Sequence, residues 1–194
     1  NLAQLCPASP LTRAYALALI KDIADQFQPD EFNLESLAYL RFNYGFRSPK
    51  VAVRITPLCE LLMGLCYCPH CLDRAHDEGI DDVEAFHAEI AREPNEDDMD
   101  PPDLEELAEV FSGHLRLFLD ARIETATSLM EEAIAVATQA GARVSFFGGM
   151  DPVANGLDAD RFLRDVYMVN ARVGADRVAA QRDTFPAGIG LSAI

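Results

Sequence analysis

A chain of 194 residues, 49% hydrophobic and 25% charged, is long enough for one domain with a sizeable core. Its formal net charge of -16 argues against direct binding to nucleic acid or to an anionic membrane surface. Low-complexity tracts and fixed-period repeats are missing, which disfavours a disordered or solenoid chain, and no apolar run approaches the ~18 residues of a membrane span.

The first nine residues lack the basic and apolar regions of a secretion signal. The sequence does not begin with Met, and Gly188 to Ile194 reads as a strand with nothing after it. The expectation is a single partial domain over residues 1–194, truncated at both ends.

Helix signals come first. Ser9 suits an N-cap, and Pro10 suits the first helical position, where its missing N–H would be unpaired anyway. Leu11, Tyr15, Leu19, Ile23 and Phe27 recur every four residues and predict one apolar face. Pro29 stops the helix. Residues 31–37 form a short candidate strand. Ile55 to Tyr67 is mostly apolar and predicts a buried helix. Asp81 and Asp82 are placed to cap a helix over Val83 to Arg92. Residues 93–102 are acidic and rich in helix breakers, which predicts an exposed loop. A helix over Leu104 to Phe111 and a long one over Gly113 to Ala140 follow. Leu115, Leu119 and Ile123 are in register on the long helix, and Gly141 is placed to end it in a left-handed conformation.

After Gly141 the period changes. Strands are expected over residues 142–147, 166–170 and 188–194. Helices are expected over 158–164 and 175–185, with a loop at 148–152. Strands alternating with helices imply parallel strands joined by crossovers. Four strands fall short of the eight of a closed barrel. The rhythm therefore fits either an incomplete (β/α)8 barrel of the TIM type or a doubly wound open sheet.

The sharpest motif is Cys66-Tyr67-Cys68-Pro69-His70-Cys71. Three thiols within six residues can converge on one cation, and tetrahedral zinc wants a fourth ligand. The candidates are Cys6, Cys59, His70 and His76. Cys6 is credible because its loop and the cysteine loop would be neighbours at one end of a barrel. Cys59 lies in an apolar run and reads as a buried free thiol. Four thiolates would leave no open coordination position, so the site would be structural.

The order Cys6-Pro7-Ala8-Ser9-Pro10, Arg13, an amphipathic helix, a strand ending near Glu35 and then the cysteine motif resembles family 42 β-galactosidases. It also looks like the wider set of bacterial glycoside-hydrolase-like TIM-barrel proteins. The resemblance covers roughly residues 1–75. It implies zinc held by Cys6, Cys66, Cys68 and Cys71. It also implies that the strands are the fourth to seventh of the barrel, and that Glu35 is the general acid/base for hydrolysing a glycosidic bond. The family's Asn-Glu pair aligns with Leu34-Glu35, so the glutamate is kept and the asparagine is not. The retaining mechanism needs a second carboxylate about 5 Å away, and no Asp or Glu lies within residues 188–194.

Candidate substrate-binding residues accompany Glu35. Tyr39 and Arg41 belong to an aromatic and basic run with Phe42, Tyr44, Phe46 and Arg47, which fits either a sugar platform or burial under the rim. Asp151 and Asn170 follow strands and could bind sugar hydroxyls or cap the next helix. Gly148-Gly149 is not followed by a GxGxxG pattern, and no G-x-S-x-G elbow exists. His87 and His114 read as ordinary helix positions. Three functions follow as expectations: a carbohydrate-active hydrolase, a non-catalytic sugar-binding barrel, and a zinc-stabilised structural module. A carbohydrate is the expected ligand, and no organic cofactor is implied. Five cysteines, an odd count, and a zinc site favour a cytoplasmic setting over secretion.

Overall fold

The computed structural model describes residues 5–35, 37–40, 42, 57–90, 113–147, 156 and 167–168. Over these residues the chain forms α1 (Pro10–Phe27), β1 (Glu31–Glu35), α2 (Pro57–Gly64), α3 (Pro69–Asp77), α4 (Val83–Ile90), α5 (His114–Gln139), β2 (Arg143–Phe147) and β3 (Tyr167–Met168).

Local backbone chemistry sets the ends of α1. Ser9 is extended at the N-cap and Pro10 opens the helix, although the Ser9 hydroxyl makes no capping hydrogen bond. At the far end Gln28 turns left-handed, with φ 46°, and its N–H donates to the Ala24 carbonyl. The buried face is not the expected one. Leu11 is 80% exposed and Phe27 73%, and Tyr15 and Leu19 are exposed too. Ile20 and Ala24 point inward instead, with Leu17 and Ile23 packed beside them. A strict four-residue spacing drifts by about 40° per step around a helix of 3.6 residues per turn, so that stripe winds away from any single contact line. Arg13 then clasps α1 to α5. Its guanidinium donates to the Thr125 carbonyl at 3.0 Å, the Ser128 hydroxyl at 3.3 Å and the Glu132 carboxylate at 2.6 Å.

The expected helix over Ile55 to Tyr67 ends early. Gly64 closes α2, residues 65–67 are not helical, and Pro69 starts α3, which the apolar pattern did not announce. The cysteine motif thus straddles a helix break. At α4, the Asp82 carboxylate accepts the Ala85 N–H at 2.8 Å, the expected cap. Leu115 and Leu119 of α5 are fully buried, and Gly141 follows the helix with φ 84° as expected.

The sheet corrects the fold class. The described strands form one parallel sheet in the order β1-β2-β3, with Glu31 opposite Arg143 through Glu35 opposite Phe147. Ser145 and Phe146 lie opposite Tyr167 and Met168. Among the described residues this helix-rich arrangement shows no (β/α)8 barrel and no run of barrel strands four to seven. A barrel needs a strand–helix alternation in which each strand pairs on both sides. Here α2, α3, α4 and α5 all intervene between β1 and its neighbour β2, and β1 has no second neighbour among the described residues. The expected elements at 93–102, 104–111, 148–152, 158–164, 175–185 and 188–194 lie outside the described residues.

Two cores share α5. On the sheet side, Phe32 and Leu34 of β1 and Val144 and Phe146 of β2 pack on Met130, Ala133 and Ile134. Their positions follow from the alternation of β1, in which residues 32 and 34 are buried and 31, 33 and 35 exposed. On the other side, Leu115, Phe118 and Leu119 pack on Ala75, Ile80 and Phe86. Cys71 and Tyr39 belong to this second core. Among the described residues no helix is long and apolar enough to cross a membrane.

Candidate metal centre

Three segments bring four sulfurs together. Cys6 precedes α1 in a turn whose Ser9 N–H donates to the Cys6 carbonyl at 3.0 Å. Cys66 and Cys68 lie in the break between α2 and α3. Cys68 is also the N-cap of α3, accepting the N–H groups of Cys71 and Leu72 on its carbonyl at 2.9 and 3.1 Å. Cys71 sits in the first turn of α3, where the helix N-terminus favours negative charge. Tyr67 anchors the break: its ring stacks on His87 at 4.3 Å between centroids and its hydroxyl donates to the Leu62 carbonyl.

The Cys6 sulfur is 3.4 Å from that of Cys71, 3.5 Å from Cys68 and 3.8 Å from Cys66. All four sulfurs lie within 4.8 Å of one another, and none is in a disulfide. Zinc–sulfur bonds of about 2.3 Å in a tetrahedron put sulfurs about 3.8 Å apart. The three edges from Cys6 are close to those of a tetrathiolate site, and the donor set suits a soft or borderline cation such as zinc. His70 and His76 are exposed on α3 and stand outside the four-sulfur group. The side chain of Cys59, within α2, lies outside the described residues.

The electrostatics fit the same use. The Cys66 thiol is held down to about 2 by hydrogen bonds, first from Cys6 and then from Cys71. Its partners move the other way. Cys6 is pushed up to about 12, chiefly by its bond to Cys66, and Cys71 is pushed up by its bonds to Cys6 and Cys66 and by burial. The backbone at Ala8 and Cys68 acts to lower the Cys6 and Cys66 thiols. Without a cation these shifts favour charge on the Cys66 sulfur and protons on Cys6 and Cys71. A divalent cation would displace those protons.

Of the expected substrate residues, Glu35 is exposed at the carboxyl end of β1. Tyr39 is only 2% exposed, with its hydroxyl 3.6 Å from the Cys71 sulfur and the Arg122 guanidinium 4.5 Å above its ring centre. Burial pushes its phenol up. Arg41, Asp151 and Asn170 lie outside the described residues.

Two neighbours of the cluster escaped the sequence reading. Arg122 is 4% exposed, and with Tyr39, Cys66 and Cys71 it lines a pocket of about 10 Å³, roughly the space of one water. The signal was available: Leu115, Leu119, Arg122 and Ala126 follow a heptad-like spacing, so an arginine stands at a core position. Gly156, with φ 64°, presses on the same pair, and a Cβ there would lie 2.9 Å from the Tyr39 ring and 3.0 Å from Cγ of Arg122.

Comparison with known protein families, curated proteins and solved structures finds no match to the chain.

Proposed function

We propose that this protein is a zinc-stabilised structural module in which Cys6, Cys66, Cys68 and Cys71 hold one zinc ion. The observation that carries this reading is the convergence of four free thiols from three segments at tetrahedral spacing. Zinc supplies a four-way cross-link between the segment before α1, the helix break and the start of α3. With four thiolates bound there is no open position for water or substrate, so the role is cohesion rather than Lewis-acid chemistry.

Metal analysis of the purified chain tests this. The expected result is one zinc per chain in the wild type and much less in Cys68→Ser. Titrating zinc into metal-free protein at pH 7 should release at least two protons, those held on Cys6 and Cys71. Because protons compete for the sulfurs, affinity rises with pH, and the stability due to metal is lost as pH falls. A wild-type chain that takes up no zinc and releases no protons overturns the reading.

A second reading, hydrolysis of a glycosidic bond with Glu35 as general acid/base, is supported by one observation. Glu35 is exposed at the carboxyl end of a parallel strand, the side on which α/β sheets bind ligands. Its test is turnover of aryl glycosides. Activity in the wild type that is lost in Glu35→Gln supports it, and equal turnover, or none in either, refutes it.

A further inference from the structure

Four thiolates on one divalent cation leave two negative charges, and this site lies against a packed core in a chain of net charge -16. Such a centre needs hydrogen-bond donors and a nearby cation, because charge in a low-dielectric surrounding is costly unless compensated. The N-terminus of α3, where Cys71 sits, supplies part of this. Tyr39 and Arg122 stand where the rest is required.

We propose that Tyr39 and Arg122 are positioning residues of the metal centre: the Tyr39 hydroxyl donates to the metal-bound Cys71 sulfur, and the Arg122 guanidinium behind the Tyr39 ring balances the tetrathiolate charge. The inference rests on the zinc reading and extends it to residues that do not touch the metal. The hydroxyl lies 3.6 Å from the Cys71 sulfur, within range for a hydrogen bond to sulfur. A metal-bound Cys71 carries no proton, so the direction of that bond is fixed: oxygen donates. Arg122 lines the same small pocket as Cys66 and Cys71, and its Cζ lies 4.5 Å from the centre of the Tyr39 ring. Gly156 closes on both side chains, with no room for a Cβ between them. The pair is therefore held by contacts from separate segments: α3 through Cys71, α5 through Arg122, and the backbone at Gly156.

A sulfur that accepts a hydrogen bond gives up electron density, so it is less nucleophilic and less readily displaced by protons or competing ligands. Tyr39→Phe removes only the oxygen and keeps the ring. In the full zinc-loaded chain we expect Tyr39→Phe to retain one zinc but to lose it to a chromophoric chelator about 10–100-fold faster, the usual range for removing an outer hydrogen-bond partner of a ligand. Arg122→Met should act in the same direction, and Arg122→Lys should restore part of the retention because it keeps the charge. A role in packing alone would not move the thiolate-to-cobalt charge-transfer band of the cobalt-substituted protein, whereas loss of the Tyr39 hydrogen bond should shift it. In cadmium-113-loaded wild type, the Tyr39 hydroxyl proton should couple to the metal through Cys71, a readout that needs no variant to fold. Wild-type chelator kinetics and an unshifted cobalt band in Tyr39→Phe, or no coupling in the wild type, overturn the inference while leaving the metal site standing. A wild-type chain that binds none of these metals removes the site and the inference together.

Discussion

With zinc held by the four cysteines as proposed, stripping it from the full chain with a chelator should lower the melting temperature by roughly 8–16 °C. The magnitude follows from linkage: a ligand present at about a thousand times its dissociation constant stabilises the folded state by about 4 kcal/mol. For chains of this size about 1 kcal/mol corresponds to roughly 2–4 °C. The expected loss is large because a metal at this cluster would join segments far apart in sequence. Cys6 and Cys71 are 65 residues apart, and their sulfurs meet at the edge of the core that holds Leu115, Phe118 and Leu119. Cys71→Ser should reproduce most of the shift, since it leaves a buried hydroxyl where the cluster had a sulfur. Readding zinc should restore the wild type and not the variant. Thermal melts with and without chelator decide the matter, and identical curves would show that the sulfurs hold nothing that matters to stability.

Phe146→Ala should cost about 3–5 kcal/mol, seen as a fall in the urea midpoint at unchanged slope. Phe146 is 1% exposed on the central strand of the described sheet, opposite Leu34 on one side and Met168 on the other. Its ring belongs to the core formed with Met130, Ala133 and Ile134, and truncation leaves a cavity that the paired strands cannot close around. The same variant should keep its zinc stoichiometry, because Phe146 belongs to the sheet-side core and not to the cysteine side. An effect below about 1 kcal/mol would mean that this strand is not packed as described.

Local signals were readable from the chain, and long-range pairings were not. Pro10, Pro29, Asp82 and Gly141 act through their own backbone chemistry, and the helix boundaries they predict match α1, α4 and α5 closely. The cysteine motif was legible for the same reason, since Cys66, Cys68 and Cys71 are neighbours in sequence and in space. The fourth sulfur was harder. Spacing left Cys6, Cys59, His70 and His76 open, and only resemblance to a family singled out Cys6. The inward face of α1 is not marked by its large apolar residues, because its contact with α5 and the sheet is made by Ile20 and a small residue, Ala24. The barrel was misread because a strand–helix rhythm does not say which strands are neighbours. That is decided by the pairing of β1 with β2, which lies beyond α2, α3, α4 and α5 in the chain. Tyr39 was noticed as one of an aromatic run, yet its contacts with Cys71 and Arg122 depend on segments that no local pattern links.

The Arg13 clasp has a consequence for how the chain is made. Its partners Thr125, Ser128 and Glu132 lie 112 to 119 residues downstream. A ribosome adding roughly 5–20 residues per second needs on the order of ten seconds to deliver them. During that interval α1 and β1 have neither α5 nor β2 to dock on. The cysteine quartet, in contrast, is complete once Cys71 has emerged, and Thr125 follows 54 residues later in the chain. A metal held as proposed would therefore keep the early chain in a loop before α5 arrives to complete both cores.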